Sequence, residues 1–310
     1  MATTYNLPGQ ANGAGADDAL FLKMYGGETM ASYNAANIME KYHLVQSESS
    51  GKSFQFPVIG RANAVYWDGV TELEGENISS NEVNITLDDL LYHDVVIRQI
   101  DELRDHVSKR QEFTRQQGEA LANMFDANVL RTLVLAARTG ATITGQEGGT
   151  EIVDADAKTN GASLAASIFT AAQNLDEKYV PQGDRTAFVR PAQYYLLAQT
   201  TDVINRDWDG SGSYSTGLVH KVADIGIQKT VNLPTADDSG LAGIPAKYRG
   251  NFSTTAAVIA RPGAARTVKL MGISTEMDYK TEKQGTHLVS KMYLGTGVNR
   301  PEEAVEIKTA

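Results

Sequence analysis

The residues Gly51-Lys52-Ser53 match the end of the phosphate-binding loop G-x-x-x-x-G-K-S/T. In that loop the lysine and backbone N–H groups hold the phosphates of a nucleotide, and a helix must follow so that its N-terminus faces them. The first glycine of the motif would stand at position 46, which is Gln46. The residues after Lys52 alternate between apolar and polar and include Pro57, which predicts a strand. The sequence therefore lacks both requirements of a nucleotide site.

The other residue types that could do chemistry are scattered. The five histidines include no i, i+4 pair and no HExxH motif, and the chain has no cysteine. Asp88-Asp89 and Glu302-Glu303 are sequence neighbours whose side chains point apart in a helix or strand, which favours solvated charge over an acid–base pair. Gly295-Thr296-Gly297 indicates a turn before a terminal strand rather than a dinucleotide site. We therefore predict a protein that is not an enzyme and that has no catalytic residues, no metal and no cofactor.

The composition is that of an ordinary globular protein with an excess of acidic residues. The 310 residues are 42% hydrophobic and 21% charged, and the formal net charge is −10. Nucleic-acid and membrane-surface binding both need clustered Lys and Arg, so the charge disfavours them, although an acidic wall can still enclose DNA without gripping it. Residues 1–18 have neither the basic nor the apolar region of a signal peptide, and no apolar run approaches the length of a membrane span.

The first third of the chain predicts projecting segments. Residues 1–18 are rich in Gly, Ala and Asn and indicate a flexible terminal arm. The segment that follows has apolar residues at irregular spacing and predicts short helices broken at Gly26-Gly27. Residues 52–61 and 83–97 alternate as strands do, and glutamates recur at period two between them. We predict a long two-stranded arm with an acidic tip, which needs a partner surface because an isolated two-stranded hairpin is marginal in water.

The rest of the chain predicts a compact body. Residues 101–138 have apolar residues at i, i+3, i+4 spacing, which predicts a spine helix that is long for a compact domain. A second helix is predicted over 162–178, and a third from Pro191, because proline is favourable at the first helical position. Residues 139–161 indicate a loop or a weak hairpin. Strands are predicted at 185–189, 224–234, 255–261, 266–279 and 286–294.

Short motifs follow one another along most of the chain. They are Ala19-Leu20-Phe21-Leu22-Lys23, Gly26-Gly27-Glu28, Ser50-Gly51-Lys52-Ser53, Gln55-Phe56-Pro57, Gly60-Arg61, Leu90-Leu91, Asp94-Val95 with Ile97, Tyr179-Val180-Pro181, Asp184-Arg185, Thr267-Val268-Lys269-Leu270, Lys291, Gly295, Gly297, and Arg300-Pro301-Glu302 with Ala304. In their order and spacing they resemble the major capsid proteins of autographivirus-type short-tailed (podovirus) bacteriophages. The sequence departs from that family at the hairpin tip, in 139–161 and in 200–250.

The resemblance implies an α+β fold of the HK-97 type. The parts would be an N-terminal arm at 1–50, an extended loop (E-loop) at 51–98, a peripheral domain at 99–181 and 262–310, and an axial domain at 182–261. It implies a major capsid protein that self-assembles, in the bacterial host cytoplasm, into hexamers and pentamers of an icosahedral T=7 virion shell around double-stranded DNA. The implied partners are further copies of the chain, a scaffolding protein during assembly and a portal protein at one vertex, with no membrane.

We also predict contacts between subunits. The glutamates of the tip would meet basic residues of a neighbour's spine helix, and the segment 19–39 would lie along a neighbouring subunit or beneath its own E-loop. The predicted contact residues are Leu20, Phe21, Lys23, Lys52, Phe56, Glu72, Glu74, Glu76, Arg110, Arg115 and Arg300. Two alternatives stay open from the residues: another self-assembling lattice protein, such as a tail, sheath or adhesin subunit, and a P-loop enzyme.

Overall fold

The computed structural model describes residues 19–67, 70, 72, 75, 77–98, 110–200 and 221–310. The predicted arm 1–18 and the predicted start of the spine helix at 101–109 lie outside these residues. The helices are α1 (Ala19–Ala36), α2 (Arg110–Ala137), α3 (Gly161–Glu177) and α4 (Pro191–Gln199). The strands are β1 (Leu44–Ser47), β2 (Ser53–Ile59), β3 (Ser80–Thr86), β4 (Leu91–Arg98), β5 (Thr150–Val153), β6 (Thr186–Val189), β7 (Lys221–Val222), β8 (Ile225–Lys229), β9 (Thr255–Ala260), β10 (Ala265–Lys280), β11 (Gly285–Val298) and β12 (Ala304–Lys308).

These helices and strands confirm an α+β architecture. The strands form a four-stranded sheet in the order β1-β10-β11-β4, a six-stranded sheet in the order β5-β12-β9-β6-β8-β7, and the two-stranded pair β2-β3. Three pairs run parallel, namely β1 with β10, β5 with β12 and β6 with β8, and the remaining pairs are antiparallel. The largest core lies around α2, and a second core lies between α3, α4 and the six-stranded sheet.

The two-stranded arm is shorter than the sequence predicted. β2 pairs with β3 from Ser53↔Thr86 to Ile59↔Ser80. β4, which we assigned to the same arm, pairs with β11 in the four-stranded sheet instead. That assignment was wrong because alternation indicates a strand without showing which strand it pairs with. Residues 53–86 are called the β2–β3 hairpin below, and residues 61–79 are called its tip.

α1 is one continuous helix, and the predicted break at Gly26-Gly27 is wrong. A glycine costs a helix about 1 kcal/mol relative to alanine, but tertiary packing supplies most helical stability in proteins. Here Tyr25, Thr29 and Tyr33 are buried on the face of α1 that packs on α2. Gly118 of α2 allows the two backbones to approach closely, because a Cβ there would lie 2.6 Å from the carbonyl oxygen of Thr29.

α2 confirms the spine-helix prediction over the residues described. Its predicted apolar stripe, Leu121, Phe125, Val129 and Leu133, is at most 2% exposed. Contrary to our reading of the sequence, the part Glu112–Ala137 is long and apolar enough to cross a membrane by length and composition alone. Because 67% of its apolar window is buried inside the protein, it has the burial of a core helix.

The six-stranded sheet crosses the domain boundaries that the sequence suggested. β5 and β12, from the predicted peripheral domain, are hydrogen-bonded through β12 to β9, from the predicted axial domain. Residues 139–161 were expected to be a loop or weak hairpin, yet they contain β5. The polar, Gly/Thr-rich stretch hides this strand because its partner, β12, is far away in sequence and pairs with it in parallel.

Gly295 and Gly297 lie inside β11, so the predicted turn at these residues is wrong. The reason is close packing between β11 and the end of the β2–β3 hairpin. A Cβ on Gly295 would lie 2.4 Å from the carbonyl oxygen of Thr86, and one on Gly297 would lie 3.0 Å from the side chain of Ile85. These glycines therefore form the seat on which β3 rests.

Candidate functional site

The described residues form neither of the chemical sites considered above, a nucleotide-binding loop or a metal site. Ser53 begins β2, so the Gly-Lys-Ser sequence leads into a strand and not into a helix. No group of three or more His, Asp or Glu side chains with the geometry of a metal site occurs among the residues that the structure describes. His106 and His220 lie outside those residues.

Two of the described histidines hold the fold together. Nδ1 of His43 donates to the carbonyl oxygen of Met39 at 2.6 Å, and Nε2 accepts from the Thr267 hydroxyl at 2.8 Å. Burial lowers the pKa of His43 to about 4, so the ring is neutral at pH 7. Nε2 of His287 lies 2.9 Å from Oδ2 of Asp94 and links β11 to β4; this hydrogen bond lowers the pKa of Asp94.

The tip of the β2–β3 hairpin exposes a run of large apolar side chains. Val65 is 89% exposed, Tyr66 is fully exposed and Trp67 is 61% exposed. Ile59, the last residue of β2, is 61% exposed, and Ile78, near the end of the tip, is 43% exposed. Single exposed apolar residues are normal on a protein, but a contiguous apolar patch marks an interaction surface.

A small core fixes the root of the hairpin to the body of the chain. Phe56 of β2 and Ile85 of β3 pack together with Val268 of β10. The guanidinium of Arg266 lies 4.2 Å from the centre of the Phe56 ring, which is a cation–π contact. The root of the hairpin is therefore attached to β10 of the body.

Polar contacts further out brace the hairpin against neighbouring loops. Nδ2 of Asn81 donates to the carbonyl oxygen of Thr142 at 2.5 Å. The Arg61 guanidinium donates to the carbonyl oxygen of Lys178 and lies 4.9 Å from the centre of the Tyr179 ring. These contacts of Arg61 and Asn81, called the brace below, are exposed to solvent.

The predicted contact residues lie in different environments. Lys52 is exposed at the base of the hairpin, and Glu72 is exposed at its tip. Arg300 is partly exposed, and its guanidinium lies 3.8 Å from the carboxylate of Glu302. Phe56 is 9% exposed and packs within its own chain, so little of its ring can reach a neighbouring subunit. The described part of the structure does not cover Glu74, Glu76 or the side chains of Leu20, Phe21, Lys23 and Arg110.

Arg115 already has carboxylate partners on α2. Its guanidinium lies 2.5 Å from both Glu112 and Glu119. The hydrogen bond from Arg115 is the main reason why the pKa of Glu112 falls to about 2. Water screens exposed pairs of this kind and makes them weak, so Arg115 can exchange these partners for a carboxylate of another chain.

The N-terminal segment packs on its own spine helix. Within its own chain α1 lies against α2 and β10, and its contact with a neighbouring subunit or with its own E-loop stays a prediction. The Tyr25 hydroxyl donates to Oε1 of Gln117 at 2.7 Å. Asp126 accepts hydrogen bonds from the backbone N–H groups of Ile38 and Met39 at 3.0 and 3.1 Å. Burial raises the pKa of the Asp126 carboxyl to about 6. Irregular apolar spacing within 19–39 concealed this docking face.

The sequence reasoning overlooked Val65-Tyr66-Trp67. The prediction for the tip rested on its glutamates alone. The available signal was an apolar triplet with two aromatic residues inside a connection that forms no core of its own.

A hairpin with an exposed apolar tip is typical of a protein that binds further protein chains. Comparison with known proteins shows which family of proteins this is. A family model described as Gp10A-like major capsid protein matches residues 55–308. The chain belongs to the Gp10A-like major capsid protein family. The capsid protein is 29% identical to the major capsid protein of Escherichia phage T7, across 94% of this chain and 92% of that protein. It is 28% identical to the major capsid protein of Enterobacteria phage T3, across 95% of this chain and 93% of that protein.

Solved structures agree with this assignment. The capsid structure of the Cyanophage P-SCSP1u has a TM-score of 0.81 and 37% identity, over 89% of this chain and 88% of that chain. The mature capsid of bacteriophage PhiM1 has a TM-score of 0.75 at 17% identity, over 88% of this chain and 87% of that chain, which shows the fold alone. The capsid protein therefore has the HK-97-type fold and is a structural protein of the virion that self-assembles into a capsid lattice. The comparisons favour this function over a tail, sheath or adhesin subunit.

Proposed function

We propose that the capsid protein builds hexamers and pentamers that close into an icosahedral T=7 shell, and that the hairpin tip makes the contact between neighbouring copies. The exposure of Val65 and Tyr66 on a projecting hairpin carries this proposal. A two-stranded hairpin is marginal without a partner, and a second copy of the chain is the partner that every lattice position supplies. The tip of one copy meets a different surface of the next copy, so the contact is heterologous and closes into rings.

Charged residues would set the register of this contact. We propose that Glu72, Glu74 and Glu76 face basic residues of the neighbour's spine helix, with Arg110 and Arg115 as the first candidates. Lys52 and Arg300 would pair with carboxylates of adjacent copies, because both side chains reach solvent. These pairs would contribute through their repetition over the lattice rather than individually.

The finer parts of the function also belong to this proposal. Assembly would take place in the host cytoplasm with a scaffolding protein, and a portal protein would occupy one vertex. The shell would enclose double-stranded DNA without gripping it, in keeping with the net charge of −10. We propose a division into an N-terminal arm (1–50), an E-loop (51–98) whose last strand, β4, pairs into the four-stranded sheet of the body, a peripheral domain (99–181 and 262–310) and an axial domain (182–261), with the last two sharing the six-stranded sheet.

Replacing the exposed aromatic residues of the tip tests the proposal. The variant Tyr66→Ser with Trp67→Ser removes apolar contact area and no described core residue, so the unassembled chain should keep its melting temperature. Electron microscopy should show that closed shells are lost at concentrations at which the unmodified protein forms them. Tyr92→Ser is the control, because Tyr92 is 58% exposed but lies on β4 in the body. Normal shells from the double variant would overturn the proposed tip contact.

A further inference from the structure

The β2–β3 hairpin joins the body at two neighbouring points of the backbone. The N–H of Leu87, just after β3, donates to the carbonyl oxygen of Lys52, just before β2, at 3.1 Å. The N–H of Asp88 donates to the carbonyl oxygen of Leu294 in β11 at 3.0 Å. Any rotation of the hairpin relative to the body must therefore involve residues 86–88, together with residues 51–53 at the start of β2.

The side chain of Asp88 occupies this pivot and is 9% exposed. Its Oδ1 lies 2.6 Å from Nζ of Lys247, and its Oδ2 accepts from the Tyr248 hydroxyl at 2.5 Å. Nζ of Lys247 also donates to the carbonyl oxygen of Thr86, the last residue of β3, at 2.6 Å. One lysine therefore holds both the end of the hairpin and the residue at which it turns into the body.

Tyr248 connects this cluster to the core. It is 1% exposed, and its hydroxyl oxygen accepts from the backbone N–H of Thr296 at 2.8 Å. Thr296 lies in β11 between Gly295 and Gly297, the seat on which β3 rests. The phenol thus bridges the body sheet and the pivot carboxylate, and its buried ring cannot shift without disturbing the core.

We propose that Asp88, Lys247 and Tyr248 form a lock that sets the direction of the hairpin, and through it the curvature of the lattice. Breaking a buried, hydrogen-bonded pair has a much larger effect than breaking exposed contacts. The Asp88 side chain is 9% exposed and its hydrogen bond from Tyr248 is partly buried, whereas the Lys247–Thr86 hydrogen bond is exposed, as are those of the brace formed by Arg61 and Asn81. The lock, rather than the brace, therefore fixes the direction. The link to curvature rests on the proposed function, because the hairpin's direction decides where its tip lands on a neighbour.

Distance measurement between two spin labels tests the lock in the dilute, unassembled full chain. The chain has no cysteine, so Glu82→Cys on β3 and Thr170→Cys on α3 provide the labelling sites. Asp88→Asn with Lys247→Met removes the ion pair between these residues and the hydrogen bond from Lys247 to Thr86, without leaving one charge buried and unpaired. The labelled chain with an intact lock should give a single narrow distance peak, and we expect this double variant to lose it. The single variant Lys247→Arg, in which Asp88 is unchanged and the arginine can still donate to Asp88 and Thr86, should keep the narrow peak.

Two controls separate the lock from other effects. Arg61→Ala with Asn81→Ala removes the brace and should leave the narrow peak in place. Arg261→Met with Glu303→Gln removes an ion pair of comparable burial, 3.4 Å long and outside the loop that carries Lys247 and Tyr248, and should lower stability without moving the peak. The proposal would be overturned if the lock variant kept the narrow peak. It would also be overturned if the peak broadened in the brace variant and not in the lock variant.

The assembly readout then tests the link to curvature. Lock variants should form misclosed or heterogeneous shells, whereas the tip variant Tyr66→Ser with Trp67→Ser should form none. Regular shells from a lock variant whose distance peak has broadened would overturn the link. The distance measurement uses the unassembled chain, so it remains decisive for the lock even if the tip variant shows that the proposed contact is wrong.

Discussion

Two buried titratable side chains with opposite pKa shifts bind the backbone of the 3₁₀ turn Met39–Lys41. Asp126 accepts from the N–H of Met39, and His43 donates to its carbonyl oxygen. Burial raises the pKa of Asp126 from 3.8 to about 6 and lowers that of His43 from 6.5 to about 4. Burial favours the neutral form of each side chain, which for Asp126 is the protonated form and for His43 the deprotonated form.

The two shifts predict opposing pH dependences of stability. Below pH 6 the folded chain keeps the Asp126 proton that the unfolded chain releases near pH 3.8, so this residue makes stability fall as pH rises from about 4 to about 6. His43 makes stability rise over the range from about 4 to about 6.5, because only the unfolded chain binds its proton there. Each contribution amounts to about 3 kcal/mol at most.

Two variants separate these contributions in urea unfolding of the unassembled chain. We expect the stability of Asp126→Asn relative to the unmodified protein to increase as pH rises from 4 to 6. The same difference for His43→Gln should decrease between pH 4 and 6.5. Difference curves that are flat, or that slope the same way, would contradict the assignment.

The ion pair between Arg138 and Glu306 predicts a large effect from a single substitution. The carboxylate of Glu306 is fully buried, 2.6 Å from Nε of Arg138, and also accepts from the Thr255 hydroxyl. Arg138→Met leaves a buried charge without its cation, so we expect a loss of about 3–5 kcal/mol in unfolding free energy. Arg115→Met is the control, because its exposed pairs on α2 should leave stability unchanged within error. A small effect at Arg138 would show that water reaches Glu306.

At the scale of elements, the contact between α1 and α2 depends on one small residue. A Cβ on Gly118 would lie 2.6 Å from both the Thr29 carbonyl oxygen and the Ser32 Cβ, and 2.9 Å from the Tyr33 nitrogen. Two of these three atoms belong to the backbone of α1, so a side-chain rotation cannot relieve the clash.

Two glycine substitutions with opposite expected signs test this contact. Gly118→Ala should push α1 away from α2 and destabilise the chain by about 1–3 kcal/mol, as overpacking does. Gly27→Ala, in α1, adds a Cβ with nothing within 4 Å and should stabilise the chain by up to about 1 kcal/mol through helix propensity. Unfolding free energies give both values, and amide exchange in 24–36 shows whether α1 stays docked. Equal effects from the two substitutions would contradict the close-approach argument.

The sequence predicted those elements whose signal is local. α2 and α3 follow from the spacing of their apolar residues, and the pairing of β2 with β3 follows from alternation on both sides of one connection. The pairing of β4 with β11, and the continuity of α1 through its glycines, depend on partners remote in sequence, which periodicity does not encode. The candidate site was predicted as a projecting arm. The aromatic residues of its tip were overlooked because the predicted contact was based only on the glutamates.

At the scale of the whole molecule, the β2–β3 hairpin forms a two-stranded sheet of its own, apart from the two larger sheets of the body. Its tip exposes both apolar side chains and Glu72. In the proposed contact the apolar residues would supply contact area, and the glutamates would supply a charge that a wrong partner would not match.

Charge reversal at the tip therefore predicts a defect in assembly rather than in folding. Glu72→Lys with Glu74→Lys and Glu76→Lys should block or destabilise shells while leaving the melting temperature of the unassembled chain unchanged. Glu82→Lys, on the exposed face of β3 outside the tip, should assemble normally. Light scattering follows assembly, and higher salt should reduce the difference between the variants because it screens exposed charges. Shells of normal heat stability from the triple variant would rule out the acidic contact.

The strand topology also sets the order in which the protein can be completed during synthesis. Leu44 of β1 pairs with Arg266 of β10, and β12 inserts between β5 and β9. Until β12 has left the ribosome, β5 has no described partner strand and β9 lacks one of its two, so a nascent chain carries open strand edges of the kind that drive aggregation. A prematurely terminated chain that lacks β12 keeps these open edges. The six-stranded sheet is therefore complete only when β12, the last of its strands in sequence, has been made.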